Sequence, residues 1–199
     1  MRYAKDHKAD TRTRVVETAG RVLRRDGVDG TGLIGLMREA GLTKGGFYAH
    51  FESKDALVAE AVETALAGSA GRLRDVSEGA AVHGRSRLGA VVDNYLSAEH
   101  VRARDQGCTI SALLSDLTRG SDEVREAAAR GAEGLAAVIE DALPPSFGQD
   151  RAARAQVILG TLTGCLQLAR LERDATRRDA MLAAGKRAAH VLAQDDATT

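Results

Sequence analysis

Apolar residues recur every three or four positions along most of the chain, which is the spacing of one face of an α-helix. The first such stripe predicts a helix over residues 10–25 and consists of Val15, Val16, Ala19, Val22 and Leu23. Runs of β-branched residues are short, and Ala, Leu, Arg and Glu dominate. The pattern therefore predicts an all-α fold of about nine helices.

Two short helices joined by a tight turn are predicted after the first helix, which Gly27 ends. Thr31 can cap a helix over residues 31–40, because a threonine hydroxyl can accept a hydrogen bond from a backbone N–H of the first turn. Gly41 ends that helix, and Thr43 can cap the next one, over residues 43–49. Ser53 can cap the helix that follows. This arrangement is a helix-turn-helix pattern.

Longer helices are predicted over the remainder of the chain. Glycines between Gly68 and Gly84 predict a helix end and a loop near residues 77–86. Later helices are predicted over residues 86–102, from residue 108 to about 117, and over residues 121–143, 151–173 and 176–193. Pro144 and Pro145 end the one at residue 143.

The stretch Thr43 to Phe51 combines two adjacent glycines with three of the six Phe and Tyr residues. Gly45 and Gly46 lack a Cβ atom, which lets the backbone approach a phosphate or a base edge closely. The N-terminal amides of the helix favour phosphate oxygens. Phe47 and Phe51 are four positions apart and can anchor the helix, whereas Tyr48 and His50 lie off that face.

Charge is distributed unevenly although the formal net charge is zero. Residues 1–25 carry eight Lys and Arg residues against three Asp and Glu residues. This asymmetry indicates an N-terminal part that meets an anion. From spacing and charge alone, two interpretations stay open: a DNA-reading pair of helices, or a generic helical hairpin with Phe47, Tyr48 and Phe51 in its core.

A family resemblance distinguishes these two interpretations. The chain resembles the TetR/AcrR family of transcriptional regulators in its N-terminal DNA-binding signature, which reads Thr31-x-Leu33-x-x-Leu36-x-x-x-Ala40-Gly41-Leu42-Thr43-Lys44-Gly45-Gly46-Phe47-Tyr48-x-His50-Phe51-x-Ser53-Lys54-x-x-Leu57. The resemblance implies an all-helical homodimer with a helix-turn-helix DNA-binding domain at residues 1–52. Residues 53–199 would bind an effector and dimerise through a four-helix interface made by the last two helices.

The resemblance also implies site residues. DNA contacts are expected from Thr31, Thr43, Lys44, Tyr48, His50 and Lys54, together with the backbone of Gly45 and Gly46. Gly46 departs from the Thr, Ser or Ala that is common at its position, and Gly32, Gly35 and Met37 also depart from the usual pattern. These departures leave the operator sequence open.

Two further sets of residues are expected in the C-terminal part. The effector pocket would be mostly apolar, with plain core packing as the alternative, and would be lined by Tyr95, Cys108, Ile110, Leu113, Leu114, Leu117, Leu162 and Leu166. The dimer interface would use small and apolar residues that let helices approach closely, namely Val157, Ile158, Gly160, Thr161, Gly164, Leu168, Gly185, Ala188 and Leu192.

The expected function is repression of a near-palindromic double-stranded operator, released by a small hydrophobic effector, with activation as the other possible sign. An alternative is a sensor of electrophiles or oxidants that acts through Cys108, because a thiol at a helix N-terminus can have its pKa lowered. A helical enzyme or an interaction protein that does not bind DNA are rival classes.

No metal, phosphate-loop or nucleophile motif is found, so we expect no catalytic residue, cofactor or metal. No apolar stretch approaches the roughly 20 residues that span a bilayer, and we expect a cytoplasmic protein.

Overall fold

The computed structural model describes residues 2–194, with side chains from residue 8 onwards except that of Lys44. Within residues 2–194 the chain forms ten α-helices, one 3₁₀ segment and no strand, which confirms the all-α prediction. The helices are α1 (Arg2–Asp26), α2 (Leu33–Glu39), α3 (Lys44–Phe47), α4 (Lys54–Val82), α5 (Arg87–Tyr95), α6 (Ala98–Arg102), α7 (Thr109–Thr118), α8 (Asp122–Ala142), α9 (Arg151–Leu171) and α10 (Ala175–Leu192), with the 3₁₀ segment at Pro145–Asp150.

The chain packs as two compact units. Unit 1 comprises Met1–Leu66 and Cys108–Gly131, and unit 2 comprises Ala67–Gly107 and Ala132–Thr199. This grouping describes packing, and the functional boundary predicted at residue 52 stays a prediction. Among residues 2–194, no helix has both the length and the apolarity that crossing a membrane requires.

Unit 1 is built around α1, which packs on α2 and α7. Its apolar face is buried as predicted, with Val15, Ala19 and Leu23 fully covered. Gly20 lets α1 approach α4 closely, since a Cβ atom built there would lie 3.6 Å from both the Ala61 carbonyl oxygen and the Ala65 side chain. Helix α2 packs on α1 on one side and on α3 on the other.

Unit 2 is built around α9, which packs on α10, α5 and α6. Ile158, Leu162 and Leu166 are fully buried on its inner side. Gly185 of α10 is required by this packing, because a Cβ atom there would lie 2.8 Å from Cys165 Sγ. The two helices predicted over residues 151–173 and 176–193 are confirmed within three residues at each end.

Three predicted boundaries are wrong, and the first is the start of α1, which lies at Arg2 and not at residue 10. The loop predicted at residues 77–86 is largely helix, because α4 continues to Val82. Gly71 and Gly79 cost this helix about 1 kcal/mol each relative to alanine, but burial of Leu73, Ser77 and Ala80 outweighs that cost. The helix predicted over residues 86–102 is two helices. Leu96 leaves helical geometry with ψ 49°, and the Ser97 hydroxyl caps α6 by accepting the His100 N–H.

Candidate nucleic-acid interface

The turn between α2 and α3 is closed by a left-handed glycine. Gly41 has φ +72°, and its N–H donates to the Arg38 carbonyl at 3.1 Å. The Leu42 N–H donates to the Met37 carbonyl at 2.8 Å. These two bonds form a Schellman motif, in which glycine is favoured because it adopts positive φ without strain. The sequence therefore stops α2 sharply and sets the direction in which α3 begins.

The N-terminus of α3 is capped as predicted, because the Gly46 N–H donates to Thr43 Oγ1 at 3.2 Å. Packing within the described residues does not require either glycine of this helix. A Cβ atom built at Gly45 would lie 4.0 Å from its nearest neighbour, Thr43 Oγ1. A Cβ atom built at Gly46 would lie 3.6 Å from the same oxygen, which is an ordinary van der Waals contact. Neither residue has positive φ. The missing side chains thus leave this surface open to a close approach from outside.

The aromatic residues after these glycines divide into buried and exposed ones, as predicted. Phe47 and Phe51 are buried, and their stacked rings lie 5.6 Å apart. Tyr48 is 62% exposed and touches Phe47 edge-on with ring centroids 5.0 Å apart. The Tyr48 phenol therefore projects outward at the end of α3, and its ring packs against the buried Phe47.

His50 lies partly covered at the end of this segment. Burial lowers its pKa, and the positive charges of Lys8 and Arg12 lower it further. Its Nδ1 atom is buried and makes no hydrogen bond among the described residues. The ring is therefore neutral at neutral pH, and it can offer a hydrogen bond rather than a charge.

Thr31 and Lys54 both form hydrogen bonds with the turn between α1 and α2. The buried Thr31 hydroxyl donates to the Gly27 carbonyl at 2.7 Å, and Gly32, not Thr31, occupies the N-cap position of α2. The predicted cap is wrong because that hydroxyl is used to close the preceding turn. Lys54 Nζ donates to the Val28 carbonyl at 3.0 Å. In this structure both side chains shape the turn, and the predicted Lys44 side-chain contact lies outside the described residues.

A cluster around Arg12 was not predicted from the sequence. The Arg12 guanidinium forms a two-pronged ion pair with Glu60 of α4, with Nε 3.1 Å from Oε1. It also donates to the His50 carbonyl and lies 4.3 Å from the centre of the Phe51 ring. Residues 12, 50 and 60 are brought together by tertiary packing alone, so no local sequence signal could have indicated the cluster.

A second ion-pair cluster joins the end of α1 to α2. Arg25 Nη2 lies 2.7 Å from both Asp26 Oδ2 and Glu39 Oε1. Hydrogen bonds from Arg25 are the largest cause that lowers the pKa of Asp26 and of Glu39, and the same bonds raise the pKa of Arg25. These groups are exposed, so the pairs orient the helices more than they stabilise the fold.

The residues predicted for the effector pocket are mostly buried. In unit 2, Tyr95, Leu162 and Leu166 are buried, and the Tyr95 hydroxyl is 3.1 Å from Thr163 Oγ1. In unit 1, Cys108, Ile110, Leu113 and Leu117 are buried. Leu114 is 48% exposed, because it follows Leu113 by one position and so points about 100° away around α7. It does not share the apolar face that was predicted for it.

The residues predicted for the dimer interface fall into two groups. A stripe on α9, which we call the α9 stripe, is exposed or half-exposed and consists of Val157, Gly160, Thr161, Gly164 and Leu168. Ala188 and Leu192 of α10 are also exposed or half-exposed. Ile158 and Gly185 are instead buried inside their own protomer, and Gly185 faces Cys165 of α9. Those two residues were wrongly predicted to face a partner.

A depression of about 310 Å³ adjoins the α9 stripe within unit 2. It is lined by Asp150, Ala153, Arg154, Val157 and Leu192. Arg154 donates to the Leu192 carbonyl at 3.1 Å and lies 4.5 Å from the centre of the Phe147 ring. The depression shares Val157 and Leu192 with the predicted dimer surface and none of its lining with the predicted effector pocket.

Both cysteines are thiols. Cys108 is buried at the N-cap position of α7, which confirms that it begins this helix, and Cys165 is half-buried on α9. Among the described residues, no group of three or more His, Cys, Asp and Glu side chains could hold a metal ion.

Comparison with known proteins agrees with this geometry. The family model described as "Bacterial regulatory proteins, tetR family" matches residues 15–61. The HTH-type transcriptional repressor NemR of Escherichia coli K12 is 28% identical over 134 residues, which is 67% of each chain. The HTH-type transcriptional regulator YerO of Bacillus subtilis is 31% identical over 69 residues, or 35% of this chain and 24% of its own.

Solved structures show the same fold. The reduced form of E. coli NemR superposes with a TM-score of 0.73 at 23% identity, covering 89% of this chain and 96% of that one. A TetR-family regulator from Streptomyces coelicolor superposes with a TM-score of 0.67 at 16% identity, covering 98% and 97%.

A capped, glycine-started helix that packs on α2 and presents an exposed tyrosine is the arrangement of a helix-turn-helix DNA-binding segment. The match of the family model to this same segment makes the assignment specific. The chain therefore resembles TetR-family transcriptional regulators, and the match to the family's own model covers residues 15–61.

Proposed function

We propose that this chain is a cytoplasmic transcriptional repressor that binds a near-palindromic operator as a homodimer and is released by a small, mostly hydrophobic molecule. The observation that carries this proposal is the α3 surface, where Tyr48 projects beside two glycines that packing does not require. The curated relative named as a repressor, NemR, supports the sign of regulation.

The DNA contacts would come from residues at the start of α3 and just after it. The DNA backbone would be contacted by the first residues of this segment, Thr43, Lys44, Gly45 and Gly46. Phosphates or base edges would be contacted by Tyr48 and His50. The adjoining turn would be held by Thr31 and Lys54. Backbone amides and hydroxyls that bind phosphates fix the register of such a helix on DNA, and base contacts give its specificity. In this proposal residues 1–52 are the DNA-binding part, and residues 53–199 bind the effector and dimerise.

The dimer would form through the α9 stripe. The ends of the stripe are the apolar side chains of Val157 and Leu168, which are both more than half exposed. Gly160 and Gly164 lie between them. A Cβ atom at either glycine would meet nothing within 4 Å among the described residues, so a partner helix can approach closely there. Exposed apolar side chains arranged on one helix face mark a contact surface.

The effector would be recognised in part by a buried polar pair in unit 2. The Tyr95 hydroxyl and Thr163 Oγ1 lie 3.1 Å apart, among the fully buried Leu162 and Leu166. A small number of polar groups in an apolar setting is typical of sites for small molecules, where the polar groups orient the ligand. Such a site favours a mostly hydrophobic molecule that carries one hydrogen-bonding group.

Release from DNA would follow from the geometry of two reading helices. A symmetric dimer reads two successive major grooves about 34–36 Å apart. An effector that favours another spacing weakens both half-sites at once. A coupling of about 1–3 kcal/mol is enough for a 5- to 150-fold change in affinity.

Two measurements test this function together. DNase footprinting of the region upstream of the gene should show two protected half-sites related by a two-fold axis. Deleting the gene should raise transcripts of the regulated neighbours, whereas lower transcripts would make the protein an activator. Absence of any footprint at low ionic strength would refute the proposed function.

A second candidate function is thiol sensing through Cys108 on the same scaffold. Its N-cap position on α7 supports this candidate, because helix N-termini stabilise thiolates. Its burial opposes it. Alkylation rates of the native protein test this candidate, and the Cys108→Ala and Cys165→Ala variants show which thiol reacts. If Cys108 reacts no faster than a thiol in a short peptide, the thiol-sensing candidate is excluded.

A further inference from the structure

Arg12 of α1 joins three parts of unit 1 through one guanidinium group. Two of its nitrogens bind the Glu60 carboxylate of α4, and a third donates to the His50 carbonyl just after α3. Its face covers the Phe51 ring at 4.3 Å. The planar group therefore contacts α4, the chain that leaves α3, and an aromatic anchor of that same segment.

The segment that Arg12 contacts cannot hold its own orientation. Helix α3 spans four residues, Lys44–Phe47, and two of them are glycines. A helix this short has no stability of its own in water, so its direction is set by what packs against it. Phe47 and Phe51 fix it from the core side. At its C-terminal side, His50 and Phe51 donate their backbone N–H groups to the Phe47 carbonyl, and Arg12 of α1 donates to the His50 carbonyl.

Glu60 places a negative charge next to the proposed DNA-binding surface. A carboxylate within a Debye length of a DNA-binding surface opposes binding, because it repels the phosphates. Glu60 is 36% exposed, and its pair with Arg12 adds little to global stability at that exposure. The pair instead fixes the orientation of Arg12, because a two-pronged arginine–carboxylate contact holds the plane of the guanidinium.

We propose that Arg12 is a positioning residue for the reading helix, and that Glu60 increases operator affinity by orienting Arg12 in spite of its negative charge. The inference rests on the proposed DNA binding. Arg12 acts through the His50 carbonyl and the Phe51 ring and uses its donors within the protein. This role differs from that of a phosphate contact, in which Arg12 would bind DNA and Glu60 would weaken that binding.

The two roles predict opposite results for Glu60→Gln. A glutamine removes the repulsive charge, so simple electrostatics predicts tighter operator binding. Positioning predicts weaker binding, by about tenfold, because a neutral amide replaces a charge-assisted two-pronged contact. Glu63→Gln is the matched control, since Glu63 lies one turn further on α4 and pairs with Arg130 instead.

The experiment compares operator DNA with unrelated DNA of equal length, by fluorescence anisotropy at fixed salt. Glu60→Gln should lose affinity for the operator and leave affinity for unrelated DNA nearly unchanged, because positioning governs base readout. Glu63→Gln should bind both at least as tightly as the wild type. Arg12→Lys should resemble Glu60→Gln, since lysine keeps the charge but not the planar fork.

Thermal unfolding of each variant keeps the result interpretable. The proposal expects melting temperatures within a few degrees of the wild type for Glu60→Gln and Arg12→Lys. Tighter or unchanged operator binding by Glu60→Gln would overturn the inference and leave the proposed function intact. An equal loss on both DNAs would also overturn it, because that result indicates a phosphate contact or general unfolding. A wild type that binds no DNA would overturn the proposed function and the inference together.

Discussion

The Asp116 carboxylate accepts a hydrogen bond of 3.0 Å from the backbone N–H of Val28, 88 positions earlier in the chain. Asp116 lies on α7, and Val28 lies in the turn that leads from α1 to α2. Helices α1 and α7 are also joined where Arg24 Nη1 donates to Thr109 Oγ1 at 3.2 Å. Because Lys54 binds the Val28 carbonyl, both backbone polar groups of Val28 are satisfied by side chains from distant elements.

Removing the Asp116 carboxylate should therefore destabilise unit 1. Asp116→Ala leaves the Val28 N–H without its acceptor and also breaks the pair with Arg119, so we expect a loss of about 1–3 kcal/mol in the free energy of unfolding. Asp116→Asn keeps an acceptor oxygen and should lose less. Chemical denaturation of the three proteins measures the difference. Equal stability of the alanine and asparagine variants would show that this bond contributes nothing.

Glycine to alanine changes should have opposite effects at two positions. At Gly46 the added methyl group fits the protein and favours helix by up to about 1 kcal/mol, so stability should hold or rise while operator affinity falls. At Gly131 of α8 the added methyl group would lie 2.3 Å from Leu66 Cδ1, so stability should fall by about 1–3 kcal/mol. Thermal unfolding and DNA titration on both variants measure these effects. Undiminished operator affinity of Gly46→Ala would show that DNA does not require a bare backbone at this position.

A charge placed on the α9 stripe should dissociate the dimer. Leu168→Glu puts a carboxylate where the proposed interface buries an apolar side chain, and an unpaired buried charge is costly. Val82→Glu is the matched control, since Val82 is an exposed apolar residue at the end of α4 and outside the stripe. Sedimentation velocity should show monomers for the first variant and dimers for the second. If both variants remain dimers, the interface lies elsewhere.

Stability should decrease in mild acid because of His100. Burial lowers its pKa below the ordinary 6.5, and the charges of Arg170 and Arg72 lower it further. Its Nδ1 donates to the Tyr95 carbonyl at 2.8 Å, and that bond acts in the opposite direction. The folded state thus takes up the proton less readily than the unfolded state. Stability is fully present above pH 6.5 and is lost as the pH falls through the folded pKa.

The variant His100→Asn isolates this effect, because asparagine can still donate a hydrogen bond but does not titrate. Unfolding free energies measured between about pH 5 and pH 8 should fall less steeply toward acid for the variant than for the wild type. His50 also has a lowered pKa and contributes in the same direction, so some slope should persist. Identical slopes for the variant and the wild type would contradict the assignment to His100.

The sequence indicates those parts of this fold that depend on neighbouring residues. Thr43 and Ser53 cap their helices as the pattern predicts, with bonds of 3.2 Å from Gly46 N–H and 2.9 Å from Ala56 N–H. Gly27 and Gly41 end theirs with positive φ. The alternation of buried Phe47 and Phe51 with exposed Tyr48 also follows from helical spacing.

Features that depend on distant residues escape such reasoning. Thr31 has the same residue type and position as a cap, yet its hydroxyl binds Gly27 because the turn closes on it. Ile158 and Val157 are adjacent apolar residues of one helix, and only packing shows which one faces inward. The Arg12–Glu60 pair joins residues 48 positions apart, for which the sequence offers many equivalent charged partners. Local chemistry therefore predicts the elements of the site, and tertiary packing assigns each side chain its role.

Salt dependence of DNA binding tests the central claim most directly. The measurement is fluorescence anisotropy of a labelled duplex from the region upstream of the gene, at roughly 50 to 200 mM salt. Wild type should bind with a logarithmic affinity that falls steeply and linearly with the logarithm of salt, and Tyr48→Ala should bind more weakly without loss of stability. A wild type that ignores this duplex at the lowest salt, or whose affinity does not change with salt, would contradict the account.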